Sequence, residues 1–361
     1  MKNKNINTII LICLTCFFLI SIVSIYSTIS LTSLNNDILI KQIIWYVIGF
    51  ILMLIISKIN INKIIKFSHI YYILGIIMLI LVLFIGKEIN GSKCWFIIPG
   101  IGSFQPSEFI KIVLILINVK IIDNHNIKYQ SKNWKTDFIL FFKIMLITII
   151  PSFLTFIEPD TGMVIIYFII SFAMLYIYGI KNRIFIILSI LILVFISVFL
   201  FIYFNYQDTF INVFGTSFFY RIDRLLDWSN KSGMQLINAT SSIKAAGLTG
   251  FGISKTPIYI PEAHTDFIFS IFSNNTGFIG SFILILIVII FDFCITKLIN
   301  NNKYITTGYL FMILYQQVQN ISMNIGLLPI TGITLPFISY GGSSLLSYMI
   351  GLGLILNNKK A

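Results

Sequence analysis

Charge is scarce in this chain. Only 11% of its 361 residues are Asp, Glu, Lys or Arg, whereas 57% are hydrophobic and the mean hydropathy is +0.94. No soluble single domain of this length hides that much apolar surface in one core, so lipid must solvate it. Cysteine is scarce too. Cys13, Cys16 and Cys294 fall inside apolar runs and Cys94 stands alone in a connection, which excludes a disulfide framework. There are three histidines, and no His, Cys or acidic residues cluster at metal-ligand spacing, so spacing assigns no metal ligands. The start, Met1-Lys2-Asn3-Lys4-Asn5, lacks a small-x-small cleavage site after its long apolar run. It therefore reads as a retained first helix and not a signal peptide.

Acidic residues number 13 against 25 basic ones, a net charge of +12. Such a balance suits a nucleic-acid partner, but the placement of the cations excludes one. Lys2 and Lys4, Lys58, Lys63 and Lys66, Lys120, Lys128, Lys132 and Lys135, Lys181 and Arg183, Lys297 and Lys303, then Lys359 and Lys360 fall in alternate connections. This is the positive-inside pattern of a protein with both termini in the cytoplasm.

The apolar runs give ten spans near the ~20 residues that cross a bilayer: 7–30, 41–57, 67–86, 106–122, 137–157, 162–179, 184–204, 266–296, 304–325 and 341–356. The expected fold is an all-α integral membrane protein, a single polytopic domain over 1–361. Its large extracytoplasmic loop, about 205–265, joins spans seven and eight. The run 266–296 is too long for one straight crossing, so its first third is expected at the interface or inside the bundle.

With this topology the membrane-level charges gather on the outer side. Glu108 and Lys111 begin span four, Glu158 and Asp160 end span five, and Asp266 begins span eight. Lys143 and Asp292 lie near cytoplasmic helix ends, where snorkelling or interfacial placement accounts for them. The three-residue spacing of Glu108 and Lys111 puts both on one helix face. That serves a structural ion pair as well as a charge held ready for substrate. Asp160 reads either as an interfacial cap or as part of a polar cavity. Asp266, in Pro261-Glu262-Ala263-His264-Thr265-Asp266-Phe267-Ile268-Phe269, is a carboxylate at the mouth of a long apolar segment. Such a residue is tolerated only where protein, water or substrate compensates it, and function is its default reading. His264 either orients substrate or the carboxylate, or shapes the helix entry. In the outer loop Arg221 and Arg224 belong to Tyr220-Arg221-Ile222-Asp223-Arg224-Leu225-Leu226-Asp227-Trp228. This segment suits an interfacial helix with solvated charges, and guanidinium also suits phosphate. Ser339 and Tyr340 are candidate hydrogen-bonding groups for sugar or phosphate, while Gly341 and Gly342 suit a tight turn or close helix approach.

Three further motifs stand in order around that one. Asn90-Gly91-Ser92-Lys93-Cys94-Trp95 leads to Gln105-Pro106-Ser107-Glu108-Phe109-Ile110-Lys111, and Glu158-Pro159-Asp160-Thr161-Gly162 follows. Leu328-Pro329-Ile330-Thr331-Gly332 continues into Ile333-Thr334-Leu335-Pro336-Phe337-Ile338-Ser339-Tyr340-Gly341-Gly342-Ser343-Ser344 near the end. Together they resemble the SEDS family of RodA, FtsW and SpoVE over nearly the whole chain, with RodA slightly favoured over FtsW.

The resemblance implies a peptidoglycan glycosyltransferase of the cytoplasmic membrane that polymerises lipid II into β1-4 strands. It implies Asp266 as the essential residue and places Glu108, Lys111 and Asp160 in a central polar cavity. Trp95, Gln105, His264, Arg221, Arg224 and Ser339 are further substrate-binding candidates. A divalent cation, Mg or Mn, is a candidate cofactor, and a class B penicillin-binding protein is the implied partner. A lipid II flippase and a catalytically quiet scaffold for a transpeptidase are the competing readings. The charges gathered on one side favour chemistry over flipping. The scaffold reading draws on a departure from the family: Asn274-Asn275 stands where relatives usually carry two glutamates. Cys94 likewise replaces a frequent Arg, and Ala245-Ala246-Gly247-Leu248 thins a glycine-rich part of the large loop.

Overall fold

The computed structural model describes residues 2–31, 37–89, 92–100, 102–129, 131, 133–214, 233–255 and 258–357. The chain folds as α1 (Lys2–Leu31), α2 (Asp37–Lys58), α3 (Ile61–Lys66), α4 (Ser68–Ile85), β1 (Lys87–Ile89), β2 (Ser92–Ile98) and β3 (Gly102–Phe104). There follow α5 (Pro106–Lys128), α6 (Trp134–Ile157), α7 (Thr161–Tyr178), α8 (Asn182–Asn205) and α9 (Gln207–Phe214). The remaining elements are α10 (Met234–Ala245), α11 (Ile268–Lys297), α12 (Lys303–Asn324) and α13 (Gly342–Ile355).

All ten apolar segments form helices. Among the described residues six of these, α1, α2, α4, α6, α7 and α11, are both long and apolar enough to cross a membrane. The expectation of a purely helical chain needs one addition. The connection from α4 to α5 is a three-stranded antiparallel meander, β1-β2-β3, with Phe96 opposite Phe104 and Ile98 opposite Gly102. Short pleated strands satisfy backbone groups that a free loop would leave to water, and they press Cys94 and Ser92 onto the end of α6.

Helix α5 is the axis of the bundle, packed by α4, α6, α7, α12 and α13. Its residues Ile110, Lys111, Leu114, Ile115, Asn118 and Ile122 are buried almost completely. Helix α13 lies along α2. The approach is close: a Cβ on Gly342 would sit 2.6 Å from the Trp45 ring, so this glycine serves helix packing.

The long run starting at 266 breaks as its length requires. Gly277 takes φ 68°, ψ −162° inside α11, a conformation open to glycine alone. The break orphans backbone groups on both sides, and residues 247–252 satisfy them. The Phe251 and Gly252 amides donate to the Asn274 and Asn275 carbonyls at 3.0 and 3.1 Å. The Phe278 and Ile279 amides donate to the Gly247 and Leu248 carbonyls at 2.9 and 3.1 Å. The two asparagines are buried in this joint: Asn274 Nδ2 donates to Ser242 O at 3.0 Å, and Asn275 Oδ1 accepts from Ser27 Oγ at 3.0 Å. Their work is helix packing through neutral hydrogen bonds.

Candidate active site

The first half of α11 carries Asp266 just ahead of its N-terminus, where seven residues of turns deliver it from the large loop. The main chain at this point is held from three sides. Asn320 and Asn324 of α12 donate through their Nδ2 atoms to the Asp266 carbonyl at 2.9 and 3.0 Å. Asn324 Oδ1 accepts from the Ser270 amide at 3.1 Å, fixing the first turn. Ser339 Oγ donates to the Thr265 carbonyl at 2.6 Å and accepts from the Leu335 amide at 2.9 Å.

The Asp266 side chain faces the Thr331–Ile333 segment. A Cβ on Gly332 would lie 3.7 Å from Asp266 Oδ2, and Gly332 itself has φ +71°. Behind that segment, Gly162 at the start of α7 approaches Ile333 and Thr331 O so closely that an added Cβ would meet them at 2.9 and 3.1 Å. One thin strip of backbone therefore separates Asp266 from the start of α7, where Asp160 stands. Gly332→Ala would combine a left-handed φ with a methyl against the carboxylate. We expect it to cost about 1–2 kcal/mol of stability, read as a lower melting temperature in thermal unfolding.

Asp160 is tied on both oxygens. Oδ1 accepts from the Met163 amide at 3.1 Å as the N-cap of α7, and Oδ2 accepts from Gln105 Nε2 at 2.8 Å. The Gln105 amide in turn donates to Ser343 Oγ at 2.9 Å. Asp160 thus serves as cap of α7 and as partner of Gln105 at once, because a carboxylate has lone pairs enough for both.

Deeper along α5, Lys111 Nζ lies 2.5 Å from Glu108 Oε2, with side chains 0% and 4% exposed. The same ammonium stands 4.7 Å from the centre of the Tyr348 ring. Ser347 Oγ donates to Glu108 Oε2 at 3.4 Å, and Gln316 Nε2 donates to Tyr348 Oη at 2.8 Å. Both partners face protein, as the ion-pair spacing requires.

Carboxylates near one another inside a poorly solvated site resist ionisation. Burial pushes the Asp266 pKa up to about 7, with Glu262 and then Asp160 adding to the rise and a hydrogen bond from Thr265 opposing it. Burial likewise lifts Asp160 to about 6; its hydrogen bond from the Met163 amide and the Lys111 charge pull the other way. Burial holds His264 below its ordinary value, so its ring is neutral at pH 7. That ring lies 5.7 Å from the Tyr340 ring, and the His264 carbonyl accepts from the Tyr340 amide at 2.9 Å.

Glu158 is fully buried, and neither carboxyl oxygen has a hydrogen-bond partner among the described residues. Cys94 Sγ reaches only its main-chain carbonyl, at 3.1 Å. Burial, then Asp160, raises the Glu158 pKa to about 9. The folded state then binds a proton that the unfolded chain releases above its ordinary value of about 4.5. This contribution to stability is complete below pH ~4.5 and fades as pH rises toward 9. Wild-type melting temperature should fall across that window, and Glu158→Gln should remove this part of the slope. Identical pH slopes would count against the buried neutral acid.

Several sequence expectations meet here and others do not. Asp266 and His264 share one turn, to which Ser339 bonds from the segment ahead of α13, while Asp160, Gln105, Glu108 and Lys111 form the adjoining network. Ser339 spends its hydroxyl proton on the Thr265 carbonyl and so positions Asp266. Trp95 sits half-buried in β2 opposite Lys87, on the meander and not beside Asp266. Arg221 and Arg224 lie outside the described residues. Asn320, Asn324 and Gln316 were not singled out by sequence reasoning, although they recur every four residues along an otherwise apolar helix. Gln42 escaped it too: its Nε2 donates to Ser339 O at 3.3 Å and its Oε1 accepts from the Gly341 amide at 3.4 Å. Among the described residues no three His, Cys, Asp or Glu side chains gather as metal ligands.

Residues 3–361 match the family model FTSW_RODA_SPOVE, described as "Cell cycle protein". The chain is 33% identical over 341 residues to a probable peptidoglycan glycosyltransferase FtsW of Wigglesworthia glossinidia brevipalpis, covering 88% of this chain and 82% of that one. It is 31% identical over 326 residues to the peptidoglycan glycosyltransferase MrdB of Helicobacter pylori, with the same coverage of 88% and 82%. Its fold is similar to a chain in the structure "Structural coordination of polymerization and crosslinking by a peptidoglycan synthase complex". There the TM-score is 0.76 at 24% identity, covering 96% of this chain and 95% of that chain. The crystal structure of Thermus thermophilus rod shape determining protein RodA matches with a TM-score of 0.67 at 23% identity, over 96% and 94%.

Proposed function

The chain belongs to the FtsW, RodA and SpoVE family, and on that premise we propose that it is a peptidoglycan glycosyltransferase that polymerises lipid II. The observation that carries the mechanism is Asp266: a half-buried carboxylate, rigidly held by Asn320, Asn324 and Ser339, titrating near pH 7. A general base works best when its pKa lies near the working pH.

Lipid II carries its sugar on pyrophosphate in the α configuration, and the polymer linkage is β. One inverting displacement therefore suffices. The GlcNAc 4-hydroxyl oxygen attacks the MurNAc anomeric carbon, its proton passes to an Asp266 carboxylate oxygen, and the bond from carbon to pyrophosphate oxygen breaks. The electron pair leaves with undecaprenyl pyrophosphate. Lys111 is too deeply buried against Glu108 and Tyr348 to meet that leaving group; it acts by favouring the ionised form of Asp160. Arg221 and Arg224 remain the proposed cations for the pyrophosphate. A divalent cation, Mg or Mn, is the further proposed partner of the departing pyrophosphate.

The cation distribution supports ten spans with both ends in the cytoplasm, and hence a site on the outer face of the cytoplasmic membrane. The enzyme joins sugars only, so a class B penicillin-binding protein is the proposed partner for peptide crosslinking. Full-length protein with labelled lipid II, with and without that partner, tests the reading. Glycan strands support it; lipid movement across vesicles without polymer would replace it with transport.

A further inference from the structure

The end of the bundle opposite the candidate active site holds a second, unassigned cluster of polar groups. His125 lies seventeen residues beyond Glu108 on α5, about 26 Å along the helix at ~1.5 Å per residue. Between α5 and α6 there is a cavity of about 160 Å³, lined by Ile121, Asn124, His125, Lys128, Tyr129 and Lys143. At roughly 30 Å³ of liquid per water, it holds a phosphate group with some hydration. The His125 side chain is 4% exposed, yet its Nδ1 finds no hydrogen-bond partner among the described residues. Burial without a partner is costly for such an atom, and the residue that carries it lines the cavity. The ring is fixed by Tyr129, with centroids 4.7 Å apart.

Lys128 and Lys143 bring two exposed ammonium groups to the same cavity from different helices. Asp137, buried in the first turn of α6, offsets only one of them. Beside the opening, α6 shows Trp134, Phe138 and Phe142 at 50%, 48% and 59% exposure. A tryptophan such as Trp134 marks the level where headgroups meet acyl chains. A phosphate site rimmed by lysines at that level, beside an apolar face, has the chemistry of a lipid headgroup site and not that of a soluble phosphate.

We propose that the cavity between α5 and α6 binds the phosphate of an anionic phospholipid headgroup, through Lys128, Lys143 and His125, with an acyl chain along Phe138 and Phe142. The assignment to the cytoplasmic leaflet rests on the topology proposed above; the binding itself does not.

The test uses delipidated full-length protein in detergent, with bound lipid counted by native mass spectrometry during titration. The probes are dioleoylphosphatidylglycerol, dioleoylphosphatidylcholine and inorganic phosphate. Wild type should retain phosphatidylglycerol over phosphatidylcholine. At about fivefold per lysine near an anionic surface, Lys128→Gln with Lys143→Gln should weaken it roughly twenty-five-fold, and the paired arginine variant should keep it. Both lysines are exposed, so neither change endangers folding. Equal phosphatidylglycerol binding by wild type and the glutamine pair would overturn the proposal. Inorganic phosphate competing at equal concentration would overturn the lipid assignment. Asp266→Asn should bind phosphatidylglycerol normally, and wild type that binds lipid but makes no polymer fails the glycosyltransferase reading alone.

Discussion

Asp266→Asn is expected to lower the rate of lipid II polymerisation by roughly 10²–10⁴, the usual worth of a general base, while leaving the melting temperature nearly unchanged. The asparagine fits the same space, and the Asn320 and Asn324 bonds go to the main-chain carbonyl, which the substitution keeps. The pH profile carries the sharper signature. A base with a pKa of about 7 is protonated in acid, so wild-type activity should rise from pH 6 to pH 8. Because Glu262 is the second cause of that raised pKa, Glu262→Gln should move the acid limb to lower pH. Glycan-strand synthesis across that range measures both. Undiminished polymerisation by Asp266→Asn would remove the proposed base.

Lys111→Met should be the most destabilising single change in the bundle. It leaves Glu108, 3% exposed, without its counter-charge, and breaking a buried pair from one side costs about 3–5 kcal/mol. Removing both charges is different, since well-packed apolar replacements of a buried pair are often neutral or better. Glu108→Leu with Lys111→Met should therefore regain most of the lost stability, read as thermal unfolding in detergent. It should still polymerise slowly, because Asp160 would lose the Lys111 field that favours its ionised form. If the double variant melts as low as the single one, an unpaired charge is not the cause.

Much of the site was visible as an ordered set of motifs. Asp266, Asp160, Glu108 and Lys111 stand out because each is a charge at the edge of an apolar run, where chance seldom places one. The break in α11 was visible too, as a run longer than a bilayer is thick. The residues that hold Asp266 were harder to see. Asn320 and Asn324 look like ordinary polar residues of a span until the turn at 266 is laid against them. Ser339 suggested substrate contact for the same reason: a hydroxyl in a sequence does not say which carbonyl it will reach. Glu158 was legible as a charge and illegible as a buried neutral acid, since its state depends on Cys94 and the meander closing over it.

By itself, the sequence determined that this chain lives in lipid, where its helices lie, and which few ionisable groups had to be compensated. Those conclusions follow from local free energies: apolar length against bilayer thickness, and the cost of each charge. The tertiary structure decided which of those groups share a site. It put a strip of backbone at Gly332 between Asp266 and the start of α7, and it set the α5–α6 cavity at the far end of the helix that carries Glu108. The hold on Asp266 and the bond from Gln105 to Asp160 join residues more than fifty positions apart, and no local pattern encodes that distance.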